Sequence, residues 1–205
     1  MIFQLNNYMK KNCIAFFDFD GTITKQDTFL EFIKYSKGYF NFYTGFFLLS
    51  PIIFLFKIKF IPNWKAKELV LTYFFKDTCV DDFEKSCLAF SEKIIPKLVR
   101  TNALYEIKKH LNNETRVVVV SASPENWLKH WCEKHKLELI GTNLEICNGK
   151  ITGNILNKNC YGIEKVNRIN EVINLKEYLN IYAYGDSNGD KQMLKIATHA
   201  YYKYF

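Results

Sequence analysis

Two carboxylates stand one residue apart in FFDFDGTIT, residues 16–24, at the end of an apolar run from Cys13 to Phe17. The run is too short for a helix and rich in Phe and Ile, so the segment around 13–19 reads as a buried strand. Side chains at i and i+2 of a strand share a side, which predicts that Asp18 and Asp20 face the same way. Like charges at a strand's end repel, and an inward carboxylate costs free energy unless something neutralises it. A divalent cation does that. An Asx-turn or a helix N-cap before Gly21 accounts for the same residues structurally, and the pair alone leaves both explanations open.

Two further strand ends carry polar residues. RVVVV, residues 116–120, runs into Ser121, Ala122, Ser123 and Pro124. Ser123 is the expected N-cap of a helix over about 124–136, with Pro124 at its first position. The N–H groups there and the Ser121 hydroxyl make an anion site, although simple capping explains Ser121 taken alone. The strand in IYAYGDS leads into GDSNGD, which supplies Asp186 and Asp190. Four acids at one sheet edge suit Mg²⁺, which takes a few carboxylates together with phosphate oxygens and water. Lys165, at the start of a helix expected over 162–178, is placed to meet the phosphate.

The elements that must position these residues form an alternating series. LELIGTNLEI and NGKITGNI read as a strand and hairpin turning at Asn148-Gly149, and HAYYKY reads as the last strand. Strands alternating with helices predict an α/β fold, a Rossmann-like parallel sheet flanked by helices. Residues 25–100 read as an inserted all-helical cap, leaving 1–24 and 101–205 as the core domain. In open α/β sheets ligands bind outside the carboxyl ends of the strands, where the acids fall.

A hydrophobic content of 48% with 24% charged residues excludes a disordered chain. The aromatic fraction of 17% predicts large side chains filling a core or lining an apolar groove. A net charge of +7 fits an anionic partner: nucleic acid, phospholipid or a phosphorylated substrate. No nucleic-acid motif is present, so nucleic acid is not expected. The cysteines and histidines match no metal spacing, and His130 and His135 read as solvated helix residues. With no signal peptide legible, the cysteines are expected to be reduced thiols of a cytoplasmic protein.

FFDFDGTIT, VVVVSAS, GIEKVNRI and YGDSNGD, in this order, resemble the four motifs of the haloacid dehalogenase superfamily of phosphohydrolases. The helical insertion after the first motif is similar to that of the subfamily containing phosphoserine phosphatase. The resemblance implies an aspartyl-phosphate mechanism with Asp18 as nucleophile and Asp20 as general acid and then base. It implies Mg²⁺ held by Asp18, the main-chain carbonyl of Asp20, and Asp186. Gly21, Thr22, Ser121, Ala122 and Lys165 would bind the phosphoryl group, and Asp190 would stand behind Lys165. Asp27 matches the acid with which phosphoserine phosphatases read an ammonium group. Two positions depart from that subfamily's pattern: Gly189 stands in place of Asn, and SAS in place of SGG.

Residues 38–56, GYFNFYTGFFLLSPIIFLF, carry no charge and are followed by Lys57, Lys59, Lys65 and Lys67 around Phe60 and Trp64. As one helix the run would span roughly 28 Å, near a bilayer's hydrocarbon thickness, but its glycines, Asn41 and Pro51 argue against a clean span. Buried cap helices are one expectation; peripheral contact with an anionic membrane through residues 38–67 is the other. This segment resembles the cap of the bacterial phosphatidylglycerophosphatase C group. The expected activity is therefore phosphomonoester hydrolysis, on a lipid phosphate such as phosphatidylglycerophosphate or on a small soluble metabolite such as phosphoserine. A catalytically silent lipid-binding module is the remaining alternative, and the intact acids weigh against it.

Overall fold

The structure, a computed structural model, describes residues 12–205; the beginning of the expected core segment, residues 1–11, lies outside the described residues. The strands are β1 (Cys13–Phe17), β2 (Arg116–Pro124), β3 (Glu138–Cys147), β4 (Lys150–Leu156), β5 (Asn180–Gly185) and β6 (His199–Tyr202). They form one six-stranded sheet in the order β4-β3-β2-β1-β5-β6, parallel except for the β3–β4 hairpin. Ile14 to Phe17 and Val117 to Val120 are buried on both faces, which is why these strands read as continuous apolar runs. Asn148 and Gly149 both adopt positive φ, 50° and 71°, as a tight hairpin turn requires. The α/β class expected from the sequence holds.

Between β1 and β2 lie helices only: α1 (Thr28–Leu48), α2 (Ser50–Lys57), α3 (Asn63–Phe75), α4 (Val80–Lys93), the single turn α5 (Ile95–Leu98) and α6 (Thr101–Asn112). α1 bends at Gly38, whose φ of 79° is non-helical. α3 packs on β4, and α4 packs on α7 (Glu125–Lys134). One ring joins these layers. Phe32 of α1 stacks on Trp127 of α7 with centroids 4.6 Å apart, and meets Phe75, Phe83 and Phe90 at 5.4, 5.5 and 5.3 Å. Much of the aromatic content is thus core. The two linkers of the insertion pair with each other: Thr24 bridges Val99, Lys25 N–H donates to Leu98 O at 2.9 Å, and Arg100 N–H donates to Ile23 O at 2.8 Å.

Three local expectations are corrected. β1 stops at Phe17, and a wide turn over Phe19–Ile23 follows, so Asp18 and Asp20 do not lie on one strand. β2 runs on through Pro124 with a register shift against β3, so α7 starts at Glu125 and Ser123 caps nothing. The helix after the hairpin, α8 (Ile163–Val172), ends six residues short of the expected 178, because Asn174 accepts from Lys176 N–H and starts a separate 3₁₀ turn.

Gly153 of β4 has φ of 90°, and an added Cβ would lie 2.4 Å from Thr72 Cα on α3. Gly153→Ala meets both strained backbone and backbone contact, and is expected to cost roughly 1–3 kcal/mol. Thermal unfolding is the check: Tm should fall by about 2–10 °C, and an unchanged Tm would show that α3 does not press on the hairpin.

Candidate active site

The sheet register builds the site. Phe17 pairs with Val119 on one side and Tyr184 on the other, so the ends of β2, β1 and β5 come level. Asp18 N–H continues the ladder by donating to Tyr184 O at 2.9 Å. Asp18 therefore emerges between the Ser121 and Asp186 loops. Its neighbour Gly21, at φ of 84°, lies so close to Asp186 that a Cβ would meet the carboxylate at 2.4 Å. Only glycine allows that approach.

Lys165, on the first turn of α8 (Ile163–Val172), is 1% exposed. Its ammonium donates to Asp18 Oδ1 at 2.5 Å, to Asp190 Oδ1 at 2.7 Å and to Val120 O at 2.7 Å, which uses all three of its protons. Asp190 Oδ2 accepts from Ser187 N–H at 2.9 Å and Ser187 Oγ at 2.6 Å. Carboxylate oxygens of Asp18, Asp186 and Asp190 all lie within 4.8 Å of one another. Thr22 Oγ1 donates to Asp186 Oδ1 at 3.3 Å.

The charges are unequal. Burial pushes Asp18 up to about 8, against the pull of Lys165, with Asp190 and Asp20 adding to the rise. Lys165 is raised despite its burial, by Asp18 and Asp190. Asp190 is lowered: burial opposes its ionisation, but the Lys165 ammonium and the Ser187 hydrogen bonds outweigh it. Asp186 is raised, first by burial and then by Asp190. One ammonium cannot satisfy two buried carboxylates at once. Lys165 stays charged, and the burden falls on Asp18.

Asp20 stands apart from this cluster, which corrects the expectation of four converging carboxylates. Its Oδ1 accepts from Thr28 N–H at 2.7 Å and Thr28 Oγ1 at 2.6 Å, and its Oδ2 accepts from Ser123 Oγ at 2.6 Å. Its side chain is committed, leaving its main-chain carbonyl as the group it can offer a cation. Ser121 is fully buried, with Oγ accepting from Ser123 N–H at 3.0 Å. Ala122 contributes its carbonyl, which accepts from Thr142 Oγ1 at 2.7 Å and Lys67 Nζ at 2.8 Å.

Lys67 was expected among the outward lysines, but it reaches from α3 to the loop after β2. Burial lowers its pKa, while Asp27 and Asp20 pull it back up. Asp27 caps α1, its Oδ1 accepting from Phe29 and Leu30 N–H. The residue is exposed, with Asp20 and Lys67 near enough to act on its charge. Burial and the Asp20 charge raise it to about 6, against Lys67. Thr28, Ser123 and Lys67 were missed by sequence reasoning; the signal available for Thr28 was only its place one residue after the Asp27 cap. The histidines lie elsewhere: His110 is buried against the Tyr184 hydroxyl at 2.9 Å, and His135, half-buried rather than solvated, packs its ring on Trp131.

Known proteins resemble this chain in sequence and fold. The haloacid dehalogenase-like hydrolase family matches residues 15–195. Protein CicA of Caulobacter vibrioides is 33% identical over 191 residues, covering 92% of this chain and 85% of that protein. A protein of unknown function from Bordetella pertussis superposes with a TM-score of 0.79 at 19% identity, over 92% of this chain and 88% of its own. A phosphoserine phosphatase solved as a phospho-aspartyl intermediate analogue gives 0.58 at 24% identity, over 91% and 84%. A phosphoserine phosphohydrolase-like protein from Francisella tularensis gives 0.65 at 14%, over 93% and 85%. With the family match spanning every element that carries the acidic cluster and its lysine, the chain belongs to the haloacid dehalogenase-like hydrolases.

Proposed function

We propose that this hydrolase is a Mg²⁺-dependent phosphomonoesterase working through an aspartyl-phosphate on Asp18, and that its substrate class is a lipid phosphomonoester such as phosphatidylglycerophosphate. The observation that carries the reaction is the cluster of buried Asp18 and Asp190, both bonded to Lys165, with half-buried Asp186 beside them. With Asp18 ionised, three carboxylates and one ammonium leave an excess of two negative charges, which a divalent cation cancels. Asp18, Asp186 and the Asp20 carbonyl would hold Mg²⁺, which supplies charge neutralisation for the phosphoryl oxygens.

The chain's own residues account for the remaining chemistry. An Asp18 oxygen attacks phosphorus while the ester P–O bond breaks, and the leaving oxygen takes the proton of Asp20. Thr28 and Ser123 fix that carboxyl in place. Asp20, now ionised, takes a proton from water; the water oxygen attacks phosphorus, inorganic phosphate departs and Asp18 is restored. Lys165 balances charge on the phosphoryl oxygens in both halves.

A cavity of about 650 Å³, which none of the acidic cluster lines but which Asn159 connects to Lys67 and Thr142, supports the lipid reading. Trp64, Ile155, Tyr161 and Ile163 give it apolar walls. Such walls suit an apolar substituent better than a small zwitterion. The phosphoserine-like reading is favoured by one observation, the raised Asp27 carboxyl at the cleft, which could meet an ammonium group. Asp27→Asn separates the two: a selective loss on phosphoserine supports the soluble metabolite, whereas equal turnover of a vesicle-borne lipid phosphomonoester by variant and wild type supports the lipid.

Asp18→Asn should abolish turnover of a chromogenic phosphomonoester without unfolding the protein. Asp20→Asn should retain more, its loss being on the order of 10²–10⁴-fold. Near wild-type turnover by Asp18→Asn would rule out the covalent route.

Metal-free stability should depend on pH through Asp18. Its carboxyl titrates at about 8 when folded, against about 3.9 when unfolded. The folded state therefore binds the extra proton more tightly, and its contribution to stability fades as pH rises through that interval. Melting curves in EDTA should show a lower Tm at pH 8 than at pH 5. Added Mg²⁺ should raise Tm more at pH 8, where it replaces the lost proton; a Tm indifferent to Mg²⁺ at both pH values would contradict the site.

A further inference from the structure

Between Glu31 and Glu68 the chain has no acid and six lysines. Within this stretch the second half of α1 buries only Phe42 and Gly45, followed by the buried Leu49 at its end, with Gly45 pressed against the rings of Tyr73 and Phe74 on α3. Its other side faces outward and is aromatic: Tyr39, Phe40, Tyr43 and Phe47 are 63–79% exposed. α2, sequence SPIIFLFK, fully buries none of its residues. Phe54 and Phe60 continue the exposed face at 61% and 77%, beside the exposed Lys57 and Lys59. Thus the uncharged run is not a buried hairpin. Among the described residues no single helix is long and apolar enough to cross a membrane; α1 and α2 reach that length and apolarity only together, across a bend of 61°.

Charge decides which occupant fits. A second copy would set a lysine rim against a lysine rim, with no acid on either side to pair it. An anionic bilayer supplies the opposite charge, and its interface accepts aromatic rings beside lysines. We propose that the outward face of residues 38–60, with Lys57 and Lys59 at its edge, docks on an anionic lipid surface and lies in the interface plane. The docking face deepens the lipid-phosphate reading of the catalytic cleft, but it stands on its own residues, and binding can be read without turnover.

Trp64 is the reporter, being 48% exposed while Trp127 and Trp131 are buried. The full chain should co-float with vesicles containing phosphatidylglycerol and less well with phosphatidylcholine alone. Trp64 emission should shift to the blue on binding, and Trp64→Phe should remove the shift. Lys57→Gln and Lys59→Gln should each weaken binding to the anionic vesicles about fivefold at low salt, with the effect shrinking as salt rises. Phe47→Ser with Phe60→Ser should abolish binding. Phe47, Lys57, Lys59 and Phe60 line neither the acidic cluster nor the cavity beside Trp64, so their variants should turn over a soluble chromogenic phosphomonoester unchanged, and that activity also shows they are folded. Absence of flotation with either vesicle overturns the proposal while leaving the phosphatase reading intact. Equal binding to both vesicle types, insensitive to the lysines, overturns the anionic surface. A concentration-dependent dimer dispersed by the Phe47 and Phe60 substitutions, without vesicle binding, gives the face to a second copy and overturns it as well.

Discussion

The Lys165 ammonium is the interaction on which the site depends. It is buried, its three protons are spent on Asp18, Asp190 and the Val120 carbonyl, and those partners come from the end of β1, from the turn before α9 (Lys191–Lys195) and from β2. A buried charge is tolerated only when it is paired, and removing one member of such a group commonly costs about 3–5 kcal/mol. The same contact that ties β1, β2 and the start of α8 to one point also leaves a surplus of negative charge there. Structural cohesion and the demand for a cation are one property of the cluster.

The insertion contributes to the chemistry as well as covering it. Asp20 leaves the core strand, but its carboxylate is fixed by Thr28 from α1 on one oxygen and Ser123 from β2 on the other. Lys67 returns from α3 to the Ala122 carbonyl, placing a cation of the insertion opposite Asp27 and Asp20. Each half of the chain therefore supplies groups the other half needs.

Asp18 and Asp186 were legible in the sequence because each directly follows a strand, and the ends of neighbouring parallel strands lie side by side. Lys165 was legible from its place at a helix start. Contacts that span long stretches of sequence were not: Thr28 to Asp20, Ser123 to Asp20 and Lys67 to Ala122 depend on how the insertion folds back. Ser123-Pro124 mimics a helix start, yet a register shift against β3 keeps the strand going and frees the serine for Asp20. The apolar run illustrates another limit. Composition alone does not separate Phe42, which is buried, from Phe40, which is not; only the position of α3 does so.

The paired linkers at Thr24 and Val99 restrict what the insertion can do. A body attached by two separate strands can swivel about either one. Here both strands are laced together by hydrogen bonds from Lys25 to Leu98 and from Arg100 to Ile23, each worth about 1 kcal/mol net. Twisting one strand alone would break the lacing, whereas bending both together preserves it. The lacing therefore holds the two linkers as one unit, and Thr28, only four residues beyond Thr24, is kept within reach of Asp20 by it.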